Sequence, residues 1–350
     1  MTPAEARALF PVLGRLAYLN AGTFGPIAQA TADAVAAQLA VELEQGRFGK
    51  DYFERMLGLR TEARAALGSL VGASAEQVSL TSSTTDGCNI VLAGLDLGPE
   101  DEIVTTREEH FGLLGAVHAS GARVVVADAD AEEIVAAVTP KTRLLALSQV
   151  LWTTGRVLPV RELREHTGVP VLVDGAQSVG AIPVAAEGLD FLTISGQKWL
   201  CGPDATGALV VAEPDRLRVA RPSYFSQTAY EETGSFEPAA GAARFDPGWI
   251  ATASLAGLVT ALEILPEWRY ERAVEQTARC RELLAPLVEV VPGGATLVAF
   301  RAENPPTLVA RLFAAGVIVR DLPRTDLVRV SCGWWTSNED LDRLVDVLDR

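Results

Sequence analysis

Apolar residues gather in short runs at 77–81, 102–106, 123–127, 143–149, 170–174 and 190–195, separated by stretches of helical or loop character. Runs of this length bounded by turn residues read as buried strands. Their alternation with helices predicts an α/β chain, a mostly parallel sheet sandwiched by helices. Residues 206–211 add one more strand. At the start, Thr2-Pro3-Ala4-Glu5 has the form of a capping box with proline at the first helical position, so a short helix should open the chain. A glycine-rich loop, Asn20-Ala-Gly-Thr-Phe-Gly-Pro26, then leads into two Ala-rich helical stretches between 26 and 71.

The pattern changes after 220. Residues 221–249 mix Pro, Gly, Ser and aromatics with no sustained period, which predicts an irregular active-site or interface segment. A helical pattern from 252 to about 287 should break at Pro266. The rest alternates again: a strand at 295–300, a helix at 306–315, strands at 316–320 and 326–331, and a helix opening behind Ser337-Asn-Glu-Asp340. The expected division is a large domain, 15–250, and a smaller α/β domain made of 1–14 and 251–350.

With 350 residues there is material for one large core and a companion. Forty-five acidic against 30 basic residues give a formal charge of -15, which favours solubility and argues against nucleic acid or an anionic membrane as partner. No apolar run approaches a membrane span, and the first ten residues lack the basic start and apolar stretch of a secretory signal, so a cytoplasmic protein is expected. The four cysteines have no paired spacing and the three histidines form no cluster, which suggests neither a disulfide framework nor a metal site.

Only three lysines occur, and Lys198 lies where an apolar strand meets a loop, in Ser195-Gly-Gln-Lys-Trp-Leu-Cys-Gly-Pro203. Arg keeps its proton in any protein setting, whereas a partly desolvated Lys can lose its own and form a Schiff base with a carbonyl. An ordinary surface lysine is the plainer alternative. Asp174 ends the strand of Val171-Leu-Val-Asp-Gly-Ala-Gln177, where open α/β sheets bind ligands. A carboxylate there can keep the ring nitrogen of pyridoxal phosphate protonated, making it the electron sink that a lysine Schiff base needs. Capping of a following helix is the other reading of Asp174. Gln177, three residues on, can reach the ring hydroxyl.

Between Val78 and Ile90 a hydroxyl-rich turn, Thr81-Ser-Ser-Thr-Thr85, runs into an apolar helix. Free N–H groups at a helix start with hydroxyls beside them can cradle a phosphate, though an ordinary cap has the same look. The glycine spacing fits neither a Walker loop nor a dinucleotide fingerprint, so a nicotinamide-dependent dehydrogenase is not supported. His110 follows another strand end and can stack on a cofactor ring. Arg329, in Asp326-Leu-Val-Arg-Val-Ser-Cys332, lies mid-strand among apolar residues and calls for a carboxylate, from a substrate or from an internal ion pair.

Together these residues resemble the class V aminotransferase and cysteine desulfurase group of pyridoxal-phosphate enzymes, of the aspartate aminotransferase fold type. The likeness runs from about Leu19 to the C-terminus and is most specific at Asp174-Gly-Ala-Gln177, Ser195-Gly-Gln-Lys198 and Arg329-Val-Ser331. It implies that Lys198 carries pyridoxal 5′-phosphate, Asp174 pairs with the pyridine nitrogen, Gln177 faces the ring oxygen and His110 stacks on the ring. Thr84, Thr85, Ser195 and Gln197 match the phosphate-binding positions, and Arg329 matches the residue that takes the α-carboxylate of an amino acid substrate. The resemblance also implies a homodimer, with the segment Arg244-Phe-Asp-Pro-Gly-Trp249 reaching into the neighbouring site.

This chain departs from the desulfurase pattern in four places. Residues 316–329 contain no cysteine where desulfurases carry their nucleophile, and Cys332 lies past Arg329. Ser148-Gln-Val-Leu-Trp-Thr-Thr-Gly155 puts Trp152 where a polar residue near the ring is usual. A threonine that often reaches the partner's phosphate is replaced near Trp249. Gln197 stands for the desulfurase histidine, as in the isopenicillin N epimerase and related lyase branch. The expectation is therefore a β-eliminating carbon–sulfur lyase with Lys198, Asp174 and His110 as its catalytic groups and Arg329 and Trp152 against the substrate. A class V aminotransferase, an amino acid epimerase and a cofactor-binding protein without turnover are the alternatives.

Overall fold

The computed structural model describes residues 1–349. Helix α1 (Pro3–Ala8) has the expected capping box, with Thr2 and Glu5 bonding each other's backbone N–H. The short strand β1 (Ala17–Tyr18) and the 20–26 loop lead to helices α2 (Gln29–Gln45) and α3 (Gly49–Val71). Seven strands then form the central sheet: β2 (Val78–Thr81), β3 (Glu102–Thr106), β4 (Arg123–Ala127), β5 (Thr142–Ser148), β6 (Val171–Asp174), β7 (Phe191–Ser195) and β8 (Gly207–Val211). Their order is β2-β8-β7-β6-β5-β3-β4, and β8 alone runs against the rest. Between the strands lie α4 (Thr84–Leu95), α5 (Phe111–Ala119), α6 (Ala131–Ala136) and α7 (Val160–Thr167).

Alternation along each strand feeds two cores. In β5, Leu145 and Leu147 join the side covered by α3, α6 and α7, whereas Leu144 and Ala146 face α4 and α5. Both faces are covered, which explains why these strands read as continuous apolar runs.

Residues 221–249 contain more regular structure than the sequence pattern indicated. A hairpin of β9 (Gln227–Tyr230) and β10 (Phe236–Pro238) stands out there. Its turn closes through Gly234 at φ 94°, a left-handed conformation that glycine adopts without strain. The helical pattern breaks at Pro266 as expected, into α8 (Thr252–Glu263) and α9 (Arg269–Leu284). Helix α8 packs on α2 and α3, and Ile250, Leu255 and Leu258 belong to the large core.

After the Pro266 break the chain builds the smaller module. It comprises β11 (Leu297–Arg301), α10 (Pro305–Ala314), β12 (Val317–Ile318), β13 (Arg320–Asp321), β14 (Leu327–Ser331) and α11 (Asn338–Leu348). Strands β11, β14 and β13 form an antiparallel sheet. β1 pairs with β12, and Arg7 forms a bidentate bridge to Asp340, so the N-terminal segment is tied to this module. Among the described residues, no helix is long and apolar enough to cross a membrane.

Candidate active site

The carboxyl ends of β5, β6 and β7 open towards the 20–26 loop and the small sheet, and the sequence-predicted groups converge there. Asp174 closes β6 on the same side as Leu172, towards α4, and is only 3% exposed. Its Oδ1 accepts the Ala176 N–H at 2.9 Å, and the hydroxyls of Thr84 and Thr193 approach the carboxylate. No helix follows Asp174, so it caps none. Burial raises its pKa, opposed by the nearby charge of Lys198 and by these donors.

Lys198 lies in the turn after β7. Gly196 N–H bonds Thr206 O at 2.8 Å and Gly202 N–H bonds Gly196 O at 2.9 Å, which folds the turn over the strand end. The Gly25 N–H bonds the Gln197 carbonyl at 2.8 Å, and a Cβ at Gly25 would lie 2.1 Å from the Lys198 carbonyl. Burial draws the Lys198 amine down to about 8, with Asp174 acting the other way and Arg329 and Arg320 adding repulsion. The amine is thus partly neutral near physiological pH.

His110 caps α5, its Nδ1 accepting the Gly112 N–H at 3.0 Å, which leaves Nε2 as the protonated nitrogen. Burial first, then the charges of Lys198, Arg329 and Arg320, lower its pKa to about 4, so the ring is neutral. Trp152 meets it edge-on at 5.1 Å and 89°. The Trp152 indole also packs against the cluster of Ala299 of β11, Leu327 of β14 and Leu322 in the connection between β13 and β14.

Helix α4 starts at the same end of the sheet. Ser83 is its N-cap, accepting the Asp86 N–H, and the N–H groups of Thr84 and Thr85 make no internal hydrogen bond among the described residues. A Cβ at Gly87 would lie 2.8 Å from Thr193 Cγ2, so the glycine lets the start of α4 press against β7, with the Thr84 hydroxyl on Asp174. Ser195 donates to Gln197 Oε1 at 2.8 Å. Gln177 donates to Gly22 O at 2.8 Å and accepts the Trp199 indole N–H at 3.0 Å, holding its amide rigid.

Arg329, 1% exposed in mid-β14, has no internal ion pair among the described residues. It donates to Trp152 O at 2.7 Å and to Thr23 Oγ1 at 3.4 Å, and its Nε has no partner. Burial, with Arg320 adding to it, lowers its pKa to about 9, which leaves it charged at neutral pH. A buried guanidinium without a carboxylate is costly unless an anion arrives.

The chemistry of these residues fits pyridoxal phosphate: an amine with a lowered pKa, a buried carboxylate, a neutral imidazole, free N–H groups at a helix start, and a buried arginine without an ion pair among the described residues. Three groups that the sequence reading did not single out join them. Arg320 could have been noticed as the basic residue ending the apolar run Val317-Ile-Val-Arg320. Thr23, which accepts from both arginines, carries no sequence signal of its own. Glu109 was visible only as the neighbour of His110, yet it is buried and bonds Ser148 N–H at 3.0 Å.

The model of the family described as Aminotransferase class-V matches residues 29–322. The chain belongs to that family. Within it, isopenicillin N epimerase of Streptomyces clavuligerus is 29% identical, with 99% of this chain and 97% of that protein aligned. Two solved structures of C-DES superpose closely, each at 29% identity. A lysine-to-alanine variant with glycine covalently linked to its PLP cofactor gives a TM-score of 0.90 over 98% of both chains. The complex of the cystine C–S lyase C-DES with its product cysteine persulfide gives 0.89 over 97% of this chain and 98% of that one. The α/β architecture is thus the fold of pyridoxal-phosphate enzymes in this family.

Proposed function

We propose that this class-V aminotransferase family member, a pyridoxal-phosphate-dependent enzyme, cleaves the carbon–sulfur bond of a cysteine-type amino acid by β-elimination. The observation that carries the reading is the connection from β13 to β14. It is five residues long, 322–326, and residues 316–329 hold no cysteine. Cys88, Cys201, Cys280 and Cys332 are all buried, so no thiol is presented to take up the substrate sulfur. The similarity to a cystine C–S lyase along nearly the whole chain supports the same reading.

Pyridoxal phosphate supplies the electron sink that acidifies the substrate's α-proton. Lys198 would anchor the cofactor and, once released by the substrate amine, take that proton. An amine near 8 suits this work, because it is partly neutral and still basic enough to accept. Asp174 would hold the proton on the ring nitrogen, and Gln177 would face the ring oxygen. His110 would cover the ring, kept neutral by burial. Thr84, Thr85, Ser195 and Gln197 would bind the phosphate, the first two through their free N–H groups. Arg329 would take the α-carboxylate in a two-pronged bond, exchanging the Trp152 carbonyl for a charged partner. The complete conversion consumes one water and returns pyruvate, ammonia and the leaving sulfur, as a thiol from a thioether or as a persulfide from a disulfide such as cystine. The active unit would be a homodimer, with residues 244–249 contributing to the neighbouring site.

The epimerase reading has the Streptomyces relative in its favour, and it uses the same residues. One experiment separates the candidates: cofactor-loaded protein is given L-cystine and S-substituted cysteines in D₂O, and ammonia, pyruvate and deuterium at the α-carbon are followed. Catalytic ammonia with pyruvate is the expected result. Deuterium in recovered amino acid of inverted configuration without ammonia would mark an epimerase, and stoichiometric bleaching of the cofactor without ammonia an aminotransferase. Lys198→Ala should lower turnover by at least ~10³-fold, within the range for general acid-base groups, and abolish covalent cofactor attachment.

A further inference from the structure

Two guanidinium groups stand side by side on one face of the small sheet. Arg320 of β13 is the direct cross-strand partner of Arg329 of β14. Side chains at such positions project from the same face with Cβ atoms ~5 Å apart, where like charges repel. Arg320 donates to Thr23 Oγ1 at 3.0 Å and Arg329 to the same oxygen at 3.4 Å, while the Thr23 hydroxyl donates to Asn20 Oδ1 at 3.0 Å. Among the described residues no acid pairs with either arginine, and Asp321, the next residue along β13, points to the opposite face. The charge of Arg320 is felt at both Lys198 and His110, so it belongs to the same site.

The two arginines differ in depth. Arg329 is buried on the central strand, whereas Arg320, on the edge strand β13, is partly exposed and so the outer of the two. One α-carboxylate answers the inner guanidinium. It leaves the outer one without a counter-charge, in a chain whose formal charge is -15. Supporting a second cation here against repulsion from Arg329 and Lys198 makes chemical sense when the substrate brings a second anion.

We propose that Arg320 binds an anionic group at the end of the substrate side chain, so that the enzyme prefers amino acids carrying a side-chain carboxylate or sulfonate. The inference rests on the proposed lyase reading for its substrates, but its binding part can be tested apart from turnover.

The test compares two thioethers of nearly equal size, S-carboxymethyl-L-cysteine and its side-chain carboxamide, with the cofactor-loaded protein. Turnover is followed as ammonia release. Binding of the sulfur-free carbon isosteres, which cannot eliminate, is followed by the change in cofactor absorbance. The carboxylate should be preferred by ~10- to 100-fold, the range for a charge-assisted hydrogen bond. Arg320→Gln should bring the carboxylate down to the level of the carboxamide, and Arg320→Lys, which keeps the charge, should retain a preference in the same direction. Arg329→Gln should weaken both. Equal use of the two side chains by the native protein would overturn the proposal. So would equal weakening of both by Arg320→Gln, which would assign Arg320 to the α-carboxylate instead. If neither thioether is cleaved but the isosteres keep an Arg320-dependent preference, the lyase reading fails and the anion site stands.

Discussion

Glu109 lies between the ends of β3 and β5 at 4% exposure, with both oxygens accepting the Ser148 N–H at 3.0 Å and one accepting the Thr106 hydroxyl at 3.1 Å. Burial outweighs these donors, and with Asp174 nearby the pKa rises from 4.5 to about 7. The native state therefore holds this proton over a range where the unfolded chain has lost it, and the associated stability is lost as pH rises from about 4.5 to about 7. His110 works in the opposite sense. Lowered from 6.5 to about 4, it stays neutral while the unfolded chain takes up a proton, so stability is lost as pH falls through that window. Glu109→Gln keeps an acceptor for Ser148 and removes the first of these effects, which is on the order of 3 kcal/mol for a group this buried. Thermal unfolding between pH 4 and 8 should show the variant gaining stability relative to the native protein as pH rises. A constant difference across that range would mean that Glu109 ionises normally.

The 20–26 loop joins the parts of the site that the two sheets bring together. Gly22 touches Arg329 and Gln177, Thr23 holds both arginines, and Gly25 rests on the Lys198 turn. A methyl group at Gly25 would collide with the Lys198 carbonyl, and backbone cannot yield as a side-chain tip does. Gly25→Ala should therefore weaken cofactor retention by at least ~10-fold and, because Ala21 of the same loop is buried against Phe10 and Trp335, should also lower the melting temperature of the cofactor-free protein. Dialysis followed by absorbance would measure the first and calorimetry the second. Unchanged retention would show that the loop does not set the position of Lys198. This loop also marks where sequence reading ran out. Strands such as Val171–Asp174 and Phe191–Ser195 are continuous apolar runs because helices cover both their faces, so they and the residues at their ends were legible. The environment of Arg329 was not, since the choice between substrate and internal ion pair depended on Trp152 O and Thr23, far away in sequence. The β9–β10 hairpin escaped notice because its strands are mostly exposed and carry no apolar period.

Across the whole molecule, the 221–249 segment is anchored from beneath and apolar above. Asp246, fully buried, bonds Arg60 at 2.5 Å, Arg64, the Ser79 hydroxyl at 3.1 Å and the Leu80 N–H at 3.0 Å. Arg60 in turn lies over the Phe225 ring at 4.1 Å. On this base Tyr224 stacks on Trp249 at 5.6 Å, and Phe53 of α3 meets Trp249 at 6.4 Å, with Tyr224 and Trp249 about 60% exposed. Clustered exposed aromatics on a rigid support are characteristic of an interface, and the homodimer proposed above would cover them. Sedimentation should give twice the chain mass. Because each copy is strongly acidic, the dimer should loosen at low salt, where repulsion is least screened. Trp249→Asp adds a charge to the covered face and should shift the protein towards monomer. It should also reduce turnover if residues 244–249 complete the neighbouring site. A native protein that sediments as a monomer at full activity would remove the dimer from the mechanism, and a Trp249→Asp dimer of normal mass would place the contact elsewhere on the surface.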